Sequence, residues 1–133
     1  MNACKLLLAE LGESADDYEG ICTELVDQTL HFMDRRGDTG HHLMWVDAKG
    51  AEEQVFYVPG GGKRGRFWDH HAAVLTADDM VHDAWRTDDD PVPLDTYLRE
   101  SFPAQLVALM VDGHEFRVVD TSEPEQRTTE VPT

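Results

Sequence analysis

Three residue types that act together in nucleophilic catalysis occur along the chain in the order cysteine, histidine, aspartate, as Cys22, His71 and Asp83. Cys22 follows Gly20 and Ile21 and begins a long amphipathic stretch. A thiol at a helix N-terminus experiences the partial positive charge of the free backbone N–H groups, which favours the thiolate. The same groups can bind the oxyanion that forms when a thiolate attacks a carbonyl carbon. Cys22 is therefore a candidate nucleophile, and its position fits a core cysteine on the apolar face of the helix equally well.

The candidate base and its orienting carboxylate lie later in the chain. His71 begins a predicted strand, and a histidine at a strand edge can face a helix N-terminus, as a general base must. Asp83 lies on the next predicted strand, and antiparallel pairing through a turn at residues 77–79 would bring it near His71. There its carboxylate would orient the imidazole and stabilise its charged form. Each residue alone is a weak signal, because the chain has seven histidines and an acidic composition. In combination they predict a Cys22–His71–Asp83 triad.

Hydrophobic periodicity predicts the elements that must position these residues. Apolar residues at three- and four-residue steps predict helices over residues 2–11, 21–36 and 94–102. Short apolar or alternating runs predict strands at residues 42–46, 55–58, 71–75, 80–85 and 115–119, with a Gly-rich basic loop at residues 59–66. The order, two helices and then mostly antiparallel strands with one late helix, predicts an α+β fold with the helices packed on the sheet.

The composition limits the binding partners and the cellular location that we expect. The chain has 133 residues with 41% hydrophobic residues, which predicts one domain over residues 1–120 and a disordered tail over residues 121–133, where apolar periodicity is absent. The formal net charge of −16 repels phosphates, so we expect no nucleic-acid partner. No apolar run approaches the roughly 18–20 residues that span a bilayer, so we expect no membrane partner and a cytoplasmic location. In that compartment the two cysteines, Cys4 and Cys22, are expected as free thiols.

The composition and the histidines admit two other interpretations. The acidic surface could belong to a non-catalytic protein that binds a basic partner or mimics nucleic acid. The adjacent pairs His41–His42 and His70–His71, with Asp69 and His82, could belong to a metal site. Adjacent histidines rarely ligate one ion, and no predicted helix carries a His-x-x-x-His spacing. We therefore predict no metal and no cofactor.

The order Cys22, His71, Asp83 resembles that of papain-like and transglutaminase-like enzymes. More narrowly, the second half of the chain resembles the protein N-terminal glutamine amidohydrolases. In that family a Trp-Asp-aromatic-His segment opens a hydrophobic strand, and a catalytic aspartate follows an aromatic residue on the next strand. The matching stretches here are residues 68–75 and 81–83, with weaker likeness at residues 94–102 and 116–119. The chain differs from the family at His70, which replaces the aromatic residue, and at Trp85, which replaces a second aspartate.

This resemblance implies a papain-like fold and a thiol-dependent amide hydrolase, either an amidohydrolase or a peptidase, that works through an acyl-thioester on Cys22. The implied partner is a peptide or protein substrate, with glutamine residues as one target; transfer of the acyl group to an amine uses the same intermediate. We assign substrate binding to the residues beside the base and the carboxylate, which are Trp68, Asp69, His70 and Trp85. The sequence does not predict the oligomeric state.

Overall fold

In the computed structural model of the chain, the described residues are 1–18, 20–49, 56–57, 67–68, 70–86, 89–102 and 106–120. They include three α-helices, α1 (Ala3–Leu11), α2 (Cys22–Arg35) and α3 (Leu94–Ser101), and a short 3-10 helix (Ala15–Tyr18). The strands are β1 (His42–Lys49), β2 (Phe56–Tyr57), β3 (Phe67–Trp68), β4 (His70–Leu75), β5 (Met80–His82), β6 (Val92–Pro93), β7 (Leu106–Val111) and β8 (His114–Asp120). The predicted basic loop at residues 59–66 and the predicted tail at residues 121–133 lie outside the described residues.

The strands form one six-stranded sheet in the order β6-β5-β4-β1-β7-β8, and β2 and β3 form a separate two-stranded ladder. Each pairing of neighbouring strands is antiparallel. The prediction of an α+β fold with helices on a mostly antiparallel sheet is therefore confirmed at this level. No helix among the described residues combines the length and the apolar character that crossing a membrane requires.

The core lies between α2 and the middle of the sheet, because α2 packs against β4 and β1 and also holds α1. Strand β4 is buried over residues 71–75, so both of its faces are covered. Full burial of a large apolar side chain contributes about 1.5–3 kcal/mol. Tertiary packing, rather than intrinsic propensity, therefore holds the 14-residue α2 in place. The buried apolar side chains of α2 and the central strands include Leu25, Val26, Phe32, Met33, Met44, Val46, Val74, Val107 and Leu109.

Several strand predictions differ from the structure: β1 continues to Lys49, beyond the predicted end at residue 46, and β3, β6 and β7 are not predicted as strands. The predicted strand over residues 80–85 ends at His82, and residues 84–86 turn away from the sheet with Arg86 N–H donating to Asp83 O at 3.3 Å. Asp83 therefore follows β5 and does not lie on it. Strand β7 is not predicted at all, although it pairs with both β1 and β8. Its sequence, LVALMV, is apolar throughout, so it carries neither the two-residue nor the 3.6-residue period.

Candidate active site

Cys22 is the first residue of α2, as the sequence predicts. Gly20 has φ +86°, a left-handed conformation that glycine adopts without strain, and it reverses the chain just before the helix. Ile21 occupies the N-cap position, where its side chain makes no capping hydrogen bond. The first-turn N–H groups of α2 are thus not capped by a side chain, and the half-buried Cys22 thiol lies beside them.

His71 lies on β4, opposite Val46 of β1, and is completely buried. Strand β5 pairs with β4 at Val74↔His82, so a continued register would set Asp83 opposite residue 73, diagonal to His71 on the same face of the sheet. The chain leaves the ladder at that point, and the Asp83 carboxylate meets the ring. His71 Nε2 and Asp83 Oδ2 are 3.1 Å apart, and both side chains are fully buried. The hydrogen bond expected between these two residues is present.

The His71 ring also interacts with the Cys22 thiol. Burial raises the pKa of Cys22, but the His71 ring beside the thiol, assisted by the N–H of Ala72, outweighs burial and leaves the pKa below its ordinary value. The other cysteine of the chain has the opposite environment. Cys4 is buried in the core, and burial raises the pKa of its thiol to about 12. The fold therefore lowers the pKa of one thiol and raises the pKa of the other.

The pair of His71 and Asp83 is held in its charged form. Burial lowers the pKa of His71, but the Asp83 carboxylate, with a smaller contribution from Cys22, more than reverses this and raises it to about 9. Burial raises the pKa of Asp83, but His71 and the donated hydrogen bonds hold it below its ordinary value. Those donors are the backbone N–H of Trp85, at 2.9 Å from Oδ1, and the hydroxyl of Tyr97, at 2.7 Å from Oδ2. The Trp85 ring meets the His71 ring edge-on, with 5.1 Å between centroids.

Asn2 connects the site to the first helix. Its side-chain N–H donates to the backbone carbonyl of Asp83 at 2.9 Å, and its side-chain oxygen caps α1 by accepting from Cys4 N–H at 2.9 Å. One residue later, the N–H of Ala3 donates to His82 Nδ1 at 2.9 Å. Asn2 is 1% exposed, and both the N–H and the oxygen of its side-chain amide are hydrogen-bonded within the protein, as buried polar groups usually are. The segment that carries Asp83 is thus attached to the N-terminal end of α1.

Sequence reasoning missed Tyr97 and Asn2 as parts of this site. Tyr97 lies in α3 three residues after the buried Leu94 and four before the buried Ser101, which is the pattern of an ordinary core aromatic. Asparagine is a favoured N-cap residue, so Asn2 is a sequence signal for the start of α1. Its contact with Asp83 joins residues 81 positions apart, and no local pattern reports such a contact.

The structure describes the four predicted substrate-binding residues to different extents. The backbones of Trp68 and His70 lie in β3 and β4, but their side chains, and the whole of Asp69, lie outside the described residues. Trp85 is 4% exposed, and its ring is packed against the His71 ring. Among the described residues, no group of three or more His, Cys, Asp or Glu side chains is arranged to hold a metal ion.

The comparisons with protein-family models, with curated proteins and with solved structures found no match for the chain. We therefore infer the function of the chain from the positions of Cys22, His71 and Asp83.

Proposed function

We propose that the chain is a papain-like, thiol-dependent amide hydrolase with Cys22 as nucleophile, His71 as general acid and base, and Asp83 as the orienting carboxylate. One observation carries the proposal: a completely buried His71–Asp83 pair interacts with a half-buried thiol at the N-terminus of a 14-residue helix. A buried ion pair is costly to desolvate, and a hydrophobic pair of equal volume would usually serve stability as well or better. Its presence next to a thiol whose pKa is lowered favours a catalytic role.

The resting state of the proposed site contains a Cys22 thiolate and a His71 imidazolium. The pKa directions support it, because the pKa of Cys22 is lowered and that of His71 is raised to about 9. Asp83 remains ionised, because His71 and the donors to its two oxygens favour its charged form. Since His71 Nε2 is engaged by Asp83, the proton that the ring exchanges during the reaction is carried by Nδ1.

In the acylation step, the Cys22 thiolate attacks the amide carbonyl carbon and the carbonyl oxygen becomes an oxyanion. The N–H groups of Cys22 and Thr23 at the start of α2 are the donors that would stabilise it, because the N–H of Glu24 already donates to the Ile21 carbonyl at 3.0 Å. His71 Nδ1–H then protonates the leaving nitrogen as the C–N bond breaks. The products are ammonia or an amine and an acyl-thioester on Cys22.

In the deacylation step, the neutral His71 removes a proton from water as the water oxygen attacks the thioester carbonyl. The C–S bond breaks, the carboxylic acid is released and the thiolate–imidazolium pair returns. An amine in place of water would give transamidation through the same intermediate. The resemblance to N-terminal glutamine amidohydrolases makes a glutamine side-chain amide the first substrate to try, and the differences at His70 and Trp85 make internal glutamine and asparagine the necessary comparisons.

The test is ammonia release from short peptides that carry glutamine or asparagine at the N-terminus or internally. We expect release by the wild-type chain and none by Cys22→Ser, because a hydroxyl is a far weaker nucleophile than a thiolate in this site. The matched control is Cys4→Ser, which makes the same chemical change at the other cysteine. It should release ammonia at the wild-type rate, because the Cys4 thiol is buried with a pKa of about 12.

Equal release by Cys22→Ser and wild type would refute the assignment of the nucleophile. The alternative function, a non-catalytic acidic protein with a basic partner, is motivated by the net charge of −16. It predicts no release from any peptide, together with capture of a basic protein that Cys22→Ser leaves intact. Such capture would disappear at roughly 0.5 M salt, because exposed charges are strongly screened there.

A further inference from the structure

We propose that Tyr97 is a positioning residue of the site, whose hydroxyl keeps the Asp83 carboxylate ionised and directed at His71 under acidic conditions. The inference rests on the proposed function only through the activated thiol of Cys22. Tyr97 lies outside the predicted triad, and its hydroxyl would help to set the pH range over which the Cys22 thiol is reactive.

The hydrogen-bond geometry of Asp83 is the basis of this inference. The Tyr97 hydroxyl donates to Asp83 Oδ2 at 2.7 Å, and the same oxygen accepts from His71 Nε2 at 3.1 Å. The second oxygen, Oδ1, accepts from the N–H of Trp85 at 2.9 Å. Both Tyr97 and Asp83 are buried, at 0% and 1% exposure. A carboxylate without water depends on protein donors to remain charged, and the Tyr97 hydroxyl is one of the three donors on the carboxylate described above.

The surroundings of Tyr97 hold the ring in one position. Tyr97 lies on the buried face of α3 between Leu94 and Leu98. The guanidinium of Arg86 lies 5.9 Å from the centre of the Tyr97 ring and donates to Glu100, also on α3, at 2.7 Å. Arg86 belongs to the turn that follows Asp83, so this ion pair fastens that turn to α3. The hydroxyl therefore meets the carboxylate at a fixed distance without an entropic cost at each turnover.

Protonation of Asp83 should lower the reactivity of the Cys22 thiol. When Asp83 is protonated, burial is no longer offset at His71, so the pKa of the ring falls and it holds less firmly the proton whose charge stabilises the Cys22 thiolate. The direct repulsion between Asp83 and the thiolate acts in the opposite direction and is smaller than the effect of His71. Removing the Tyr97 hydroxyl takes one charge-assisted hydrogen bond from the buried carboxylate, so Asp83 takes up its proton at a higher pH. The reactivity of Cys22 should then fall at a higher pH, while reactivity near neutral pH changes little because Asp83 is still ionised there.

The experiment measures the rate constant for alkylation of Cys22 by iodoacetamide between about pH 3.5 and 7.5, in wild type and in Tyr97→Phe. We expect the acid limb to move up by about one pH unit, which is about a tenfold lower rate on that limb. The rates at pH 7.5 should agree within about twofold. The matched control is Tyr18→Phe: Tyr18 donates at 2.6 Å to Glu13, and its loss should leave the acid limb in place.

A second variant covers the case in which Tyr97→Phe does not fold. Placing 3-fluorotyrosine at position 97 keeps the hydroxyl and makes it a stronger donor, so the acid limb should move to lower pH. Superimposable profiles for folded Tyr97→Phe and wild type would overturn the proposal. So would a rate lowered by the same factor at every pH, which is the signature of a purely structural role. Alkylation requires no substrate, so this result is independent of whether any peptide is hydrolysed.

Discussion

Replacing His71 with alanine should make Cys22 a slow thiol. At pH 6 an ordinary thiol with a pKa of about 8.5 is roughly 0.3% ionised. Each unit by which the pKa falls raises the thiolate fraction about tenfold and lowers intrinsic nucleophilicity about threefold, so the rate rises about threefold per unit. Hydrogen bonds to charged groups contribute about 1.5–3 kcal/mol, which corresponds to roughly one to two pKa units. Since burial opposes ionisation of Cys22, losing His71 should slow alkylation at pH 6 by about three- to tenfold.

The assay is peptide-resolved mass spectrometry of carbamidomethylation over time, with Cys4 as the internal reference. Cys4, with a pKa of about 12, should label far more slowly than Cys22 in the wild type and stay slow in the variant. The matched control is His31→Ala: His31 is exposed on the same helix as Cys22, and its contact with Asp27 is 3.7 Å long. It should leave Cys22 labelling unchanged. Equal labelling of Cys22 in wild type and in His71→Ala would refute the activated pair.

Three further predictions concern stability and the carboxylate. Asp83→Asn should slow Cys22 labelling as His71→Ala does, and its loss of unfolding free energy, measured by urea denaturation, should depend on pH. The lowered pKa of Asp83 gives stability that is present above its ordinary value of 3.8, and the raised pKa of His71 gives stability that is full below 6.5 and lost through about 9. The difference from wild type should thus be greatest between pH 3.8 and 6.5, and a pH-independent difference would contradict the pair. Asn2→Ala removes a helix cap and a hydrogen bond to the Asp83 carbonyl, so it should cost about 1–2 kcal/mol of unfolding free energy; a cost near zero would contradict the attachment of α1 to this segment. Leu109→Ala opens a cavity at a completely buried position of β7, so it should cost about 2–5 kcal/mol without slowing Cys22 labelling in the folded protein, and slower labelling would show that the site is not separate from that part of the core.

The local part of the fold was predictable because its signals are local. The periodicity of residues 21–36 predicts α2 within a residue at each end, since an apolar stripe and the stop at Gly37 lie on the same short segment. The turn at residues 77–79 predicts the antiparallel pairing of β4 with β5, and that pairing brings Asp83 to His71. These two predictions place Cys22 at the start of α2 and Asp83 beside His71.

The remaining features depend on contacts that sequence patterns do not encode. Strand β7 is apolar on both faces, so its pattern carries no period, and its place between β1 and β8 is a property of the whole sheet. Tyr97 has the spacing of a core residue. Its hydroxyl can donate a hydrogen bond to Asp83 only because α3 lies next to the turn that follows β5. The papain-like resemblance and the N-terminal glutamine substrate stay predictions, because no comparison tests them.

The most direct test of the central claim is a titration of ammonia release against alkylation of Cys22. The wild-type chain is treated with increasing iodoacetamide at pH 6, and the residual rate of ammonia release from the best peptide is plotted against the fraction of Cys22 that is modified. The proposed mechanism predicts a straight line that reaches zero when every Cys22 carries one label and Cys4 is still unmodified. A fully modified chain that still releases ammonia at the original rate would contradict it.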